Sequence, residues 1–136
     1  MERIDLNKGV MQTIYLDAKK YLPANIESTD LPWSVALNVL CSFRLSQPVK
    51  NAVALFIEYQ DSRGKHRIPV DFFEPENDIS LLFSNLVQLP IRGSVDELNL
   101  KLVGLTEGVT VEPELVHLNL EESRSFVDSK SMRKVV

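Results

Sequence analysis

Two histidines and one cysteine set the range of chemistry open to this chain. A nucleophilic triad needs a Ser or Cys, a His and an acid brought together. Cys41 falls on the apolar face of the most regular strand pattern in the sequence, where a cysteine acts as a small hydrophobe. His66 and His117 lie in separate strand patterns, and no spacing ties either one to a nucleophile. Both read as sheet positions. No G-x-S-x-G elbow occurs, and no glycine-rich phosphate cradle, because the glycines stand singly. A lone cysteine leaves no internal disulfide, no C-x-x-C and no Cys–His zinc spacing. The expectation is a non-enzymatic chain with no catalytic residue and no cofactor.

Acidic residues offer one metal constellation. Asp71, Glu74, Glu76 and Asp78 place four carboxylates within eight residues, beside Asn77. Hard cations such as calcium take several oxygens from loops of this kind. The spacing is not that of an EF-hand, and the glycine for its sharp turn is missing. A solvated loop with at most weak calcium binding is expected, with Asp61 of the neighbouring hairpin as a further oxygen donor. A transition-metal site is not expected.

Aromatic residues supply the remaining candidates. Tyr15, Tyr21, Trp33, Phe56, Tyr59 and Phe73 are spread along the strands. Trp33 and Tyr59 are the candidates for a ligand platform, although both are in phase with apolar neighbours and core packing competes with that role. Phe56 and Phe73 are out of phase with the apolar faces of their strands. On an antiparallel pair such residues cluster on the face away from the core, where they form an interaction patch unless a second layer covers them. A homodimer through that patch follows as an expectation.

These side chains must be held by strands. Trp33, Val35, Leu37, Val39, Cys41, Phe43 and Leu45 alternate with mostly small or polar residues, a period of two that a helix would scatter round its circumference. Val53, Leu55, Ile57 and Tyr59 repeat the pattern. Asp61 to Gly64 then reads as a hairpin loop, with Gly64 at a positive-φ position. The return strand puts His66, Ile68, Val70 and Phe72 on one face and Arg67, Pro69, Asp71 and Phe73 on the other. Pro69 makes it an edge strand or marks a bulge. Further strands are expected over 79–89, 95–105 and 109–120, with Pro113 bulging the last. Val10 to Asp17 reads as a first strand, with a short helix through Ile14, Ala18, Tyr21 and Leu22 as the alternative. Lys19 to Asp30 is a long connection with room for a helical turn.

The pattern predicts an all-β antiparallel sandwich of seven to eight strands, with a small β-barrel as the alternative. The chain is 136 residues with 44% hydrophobic and 25% charged residues, which suits one domain. That domain is expected over 1–120, with a tail over 121–136. The net charge is -4 and the basic residues are scattered, which argues against nucleic acid. No apolar run is long enough for a membrane helix, and the N-terminus does not read as a secretory signal, so a cytoplasmic address is expected. The functional expectation is a protein–protein interaction or assembly module. A carbohydrate- or small-ligand-binding sandwich is the alternative.

Overall fold

The computed structural model describes residues 3–7, 11–22, 32–49, 51–74 and 78–125. They form eight strands and one helical turn: β1 (Arg3–Asn7), β2 (Met11–Leu16), α1 (Ala18–Tyr21), β3 (Pro32–Leu45), β4 (Val53–Asp61), β5 (Gly64–Phe73), β6 (Ser80–Arg92), β7 (Glu97–Val103) and β8 (Val111–Ser125). Two antiparallel sheets result. One has the order β1-β2-β7-β4-β5 and the other β6-β3-β8. The sheets do not close into a barrel, and the fold is the expected β-sandwich.

Alternation builds the core. On β3, Val35, Leu37, Val39, Cys41 and Phe43 are fully buried, while Asn38 among them and Arg44 just beyond are exposed. Facing them across the sandwich stand Val53, Leu55, Ile57 and Tyr59 of β4 and Leu98, Leu100 and Leu102 of β7. Phe43 and Phe83 meet edge to face with ring centroids 6.1 Å apart. Each such side chain contributes roughly 1.5–3 kcal/mol on burial, which sets against the ordering of the chain.

Two prolines leave marks in the register. Pro69 cannot donate to a ladder, and β5 is an edge strand of the larger sheet. Opposite it the register shifts between Leu55, which pairs with Asp71, and Phe56, which pairs with Pro69. The extra residue turns Val70 inward. It also reverses the expected phase beyond this point: Phe73 packs on the core, and Phe72 becomes exposed. Pro113 does the same on β8, where Ser42 pairs with Leu115 and Phe43 with Pro113.

At the ends two expectations shift and one holds. Arg3–Asn7 adds a strand that the sequence pattern did not reveal, and it pairs with β2. Met11–Leu16 is the expected strand, followed at once by the helical turn, whose N-cap Asp17 accepts a hydrogen bond from the Lys19 N–H at 3.1 Å. β8 runs to Ser125, so 121–125 belongs to the sheet and not to a tail. Residues 126–136 of that tail, and 23–30 of the long connection, lie outside the described residues.

Candidate functional site

The two outer faces of the sandwich differ sharply in chemistry. On the five-stranded sheet the outward side chains of β2, β7, β4 and β5 line up in rows. Register sets Thr13 beside Lys101 and Phe56, and Tyr15 beside Asn99, Glu58 and Arg67. A further row carries Glu97, Gln60 and Lys65. Glu58 is the hub. Its Oε2 accepts from Arg67 Nε at 2.7 Å and lies 2.6 Å from Arg67 Nη2, while its Oε1 is 2.9 Å from Lys101 Nζ. Burial alone raises the Glu58 carboxyl, but the hydrogen bonds and charges of Lys101 and Arg67 outweigh it and hold the group below its ordinary value. Arg67 also lies over the Phe56 ring, 5.2 Å from its centroid. An open cleft of about 370 Å³ lies over these rows, lined from Thr13 and Tyr15 on one side to Lys65 and Arg67 on the other.

Where the β4–β5 hairpin meets the far end of β6, a second polar cluster forms. The Asp61 side chain is 1% exposed. Its Oδ1 accepts from the Arg63 N–H at 2.9 Å and from His66 Nε2 at 2.8 Å, and its Oδ2 accepts from the Arg92 N–H at 2.9 Å. Burial pushes the carboxyl up, but these hydrogen bonds bring it below its ordinary value. Ser62 donates from its hydroxyl and its N–H to the Arg92 carbonyl, at 2.7 and 3.0 Å. Tyr59 donates to the Pro90 carbonyl and stacks on His66, with ring centroids 4.9 Å apart. Aspartate, histidine and serine thus lie together, but the serine hydroxyl points at a carbonyl and not at the imidazole. The cluster joins the two sheets and holds no activated nucleophile.

The centre of the outer face of the three-stranded sheet mixes leucines with serine, asparagine and histidine. Leu82, Ser42 and Leu115 form one row, Ser84, Leu40 and His117 the next, and Leu86, Asn38 and Asn119 the third. None of these is a carboxylate, lysine or arginine. Leu82 is 57% exposed, Leu86 55% and Leu115 44%. Sequence reasoning missed this face because the dense apolar run of β6 reads as buried on both sides. The signal was there: Leu82 and Leu86 are out of phase with Leu81, Phe83 and Val87.

The residues singled out from sequence are placed as follows. Phe56 lies on the outer face of the larger sheet and is half-buried beneath Arg67, whereas Phe73 packs against the core. The β5 bulge therefore separates the two rings that were expected to form one patch. Tyr59 is buried to 2% exposure, with its hydroxyl engaged, at the edge of the cleft beside His66. Trp33 is half-buried against the core, in the other sheet from Tyr59. Cys41 is buried, and burial pushes its thiol up to about 12, against a smaller lowering by a backbone hydrogen bond from His117. Of the acidic loop, Asp71 accepts from the neighbouring Phe72 N–H at 2.9 Å, Glu74 and Asp78 are exposed, and Glu76 lies outside the described residues. Both oxygens of Asp61 are engaged, Oδ1 within the hairpin and Oδ2 by the Arg92 N–H of β6. Among the described residues no three His, Cys, Asp or Glu side chains come together in a way that could hold a metal ion, and no helix is long and apolar enough to cross a membrane.

Comparison with family models, curated proteins and solved structures finds no match to this chain.

Proposed function

We propose that this protein is a non-enzymatic β-sandwich assembly module that associates with a second copy of itself through the outer face of its three-stranded sheet. The observation that carries the reading is the set of exposed leucines, Leu82, Leu86 and Leu115, around a centre free of formal charge. Interface centres are depleted in charge in just this way, and apolar patches of this kind on soluble proteins mark contact sites. The geometry favours a second copy as the occupant. A two-fold axis parallel to β3 would set Leu82 of one copy on Leu115 of the other, and Leu115 on Leu82 in return, because both flank Ser42. It would set Leu40 on Leu40. The size also suits. Three strands of this length present a projection of roughly 14 by 40 Å, and side-chain relief raises that toward the ~800 Å² each partner contributes to a standard interface.

A charge swap tests the arrangement. The proposed axis sets position 82 of one copy against position 115 of the other, so a chain carrying Leu82→Lys and Leu115→Glu places opposite charges on each other and should still dimerise, whereas one carrying Leu82→Glu and Leu115→Glu places like charges there and should be monomeric. Size-exclusion chromatography at low salt compares the two. Two folded variants with the same oligomeric state contradict the proposal.

A further inference from the structure

The five-stranded sheet carries a separate site, and its chemistry is different. The cleft over its outer face has the volume of a small-ligand site, at about 370 Å³. Its lining mixes donors and acceptors at close range. Glu58 and Glu97 accept, Lys101 and Lys65 donate, and Asn99 does both. Asn99 stands at the centre, between Tyr15 and Glu58 in register. The ion pairs fix the surroundings in place, since Glu58 is held from two sides by Lys101 and Arg67.

The charge pattern selects the ligand class. An anion entering the cleft meets the carboxylates of Glu58 and Glu97, and the two cations nearest the centre are already paired with Glu58. A cation meets Lys65, Arg67 and Lys101. A neutral molecule with many hydroxyl groups meets neither obstacle. Each hydroxyl both donates and accepts, so it can match a lining where the two kinds of group alternate every strand, about 4.8 Å apart. Tyr15 adds a ring with an apolar face and a polar tip beside Asn99. We propose that the cleft between Tyr15 and Arg67 binds an uncharged saccharide of one or two units, with Asn99 and Glu58 as its central hydrogen-bonding residues.

Amide-resolved NMR of the full chain tests this. The protein is titrated to millimolar levels with glucose, mannose, galactose, N-acetylglucosamine, maltose, cellobiose and lactose, and separately with inorganic phosphate. At least one saccharide should give saturable shifts centred on Tyr15, Glu58, Asn99 and Lys101. Asn99→Ala, a half-exposed position, should keep the wild-type spectrum elsewhere and weaken binding about tenfold, as expected for loss of a central hydrogen-bonding group. No saturable response to any of these sugars overturns the proposal. So does a response to phosphate alone, which would mark an anion site, or a saccharide response that Asn99→Ala leaves unchanged. The chain with Leu82→Ser and Leu86→Ser, altered only on the opposite sheet, should bind the sugar as wild type does, so this inference and the self-association reading fail separately.

Discussion

The Asp61 carboxylate accepts a hydrogen bond from the backbone N–H of Arg92 at 2.9 Å, across 31 residues of sequence and from one sheet of the sandwich to the other. The same carboxylate closes its own hairpin through the Arg63 N–H and holds His66. One nearly inaccessible acid thus fixes the turn, the neighbouring strand and the opposite sheet. Its ionised form is the one that fits, because every partner donates.

That arrangement has a pH signature. The Asp61 carboxyl lies lower in the folded chain than its unfolded value of about 3.9. Its contribution is therefore complete above that unfolded value and is lost as pH falls through the folded one. Urea unfolding followed from neutral pH downward should show stability falling below about pH 4. Asp61→Asn should be less stable at neutral pH by roughly 1–3 kcal/mol, since its amide turns a donor toward backbone N–H groups. Over the acid range it should lose less than wild type does. Equal acid slopes for the two chains would contradict the assignment.

Gly104 and Gly64 separate two reasons for glycine. Both have positive φ, at 102° and 121°. A Cβ on Gly104 would lie 2.5 Å from the Ala52 carbonyl oxygen, whereas one on Gly64 would meet nothing within 4 Å. Gly64→Ala should destabilise by about 1–2 kcal/mol, from backbone strain alone. Gly104→Ala should be clearly worse, because backbone must also move. Thermal melts of the two variants give the order directly, and equal losses would contradict it.

Val39 stands at the middle of β3 and is fully buried. Val39→Asp should abolish cooperative folding, because an unpaired carboxylate would enter the core. Val39→Ala should fold, with a loss of about 2–3 kcal/mol. Circular dichroism melts distinguish the outcomes. A cooperative melt for Val39→Asp near that of wild type would contradict the placement of β3.

Cys41 should behave as core. With its thiol pushed up to about 12, it should be inert to a thiol reagent at neutral pH in the folded chain and react at once in denaturant. Rapid labelling of the native protein would contradict its position.

How much of this was legible in the sequence follows from the physics of each element. The period-two run from Trp33 to Leu45 determined β3 and its buried face, because a single out-of-phase residue would have wetted the core. Pro69 announced an edge strand or a bulge, and β5 has both. The position of the extra residue did not follow from the proline, so Phe72 and Phe73 exchanged faces relative to a regular strand. β1 escaped notice because Arg3–Asn7 is too short for its alternation to stand out. The Asp61 cluster and the Glu58 hub were hidden for another reason. Both depend on which strands become neighbours, and β7 pairs with β2 and β4 across long stretches of sequence. The hairpin pairing of Glu58 with Arg67 is local and was within reach of the register. The third partner, Lys101, was not.

Sedimentation velocity of the wild-type chain beside the chain with Leu82→Ser and Leu86→Ser tests the proposed function most directly. Both residues are exposed and their side chains leave the core, so the variant should fold as wild type does. Wild type at micromolar concentration should sediment with a concentration-dependent dimer boundary, and the variant as a monomer across the same range. A wild type that remains monomeric throughout, or a folded variant that dimerises equally well, would contradict assembly through the three-stranded sheet.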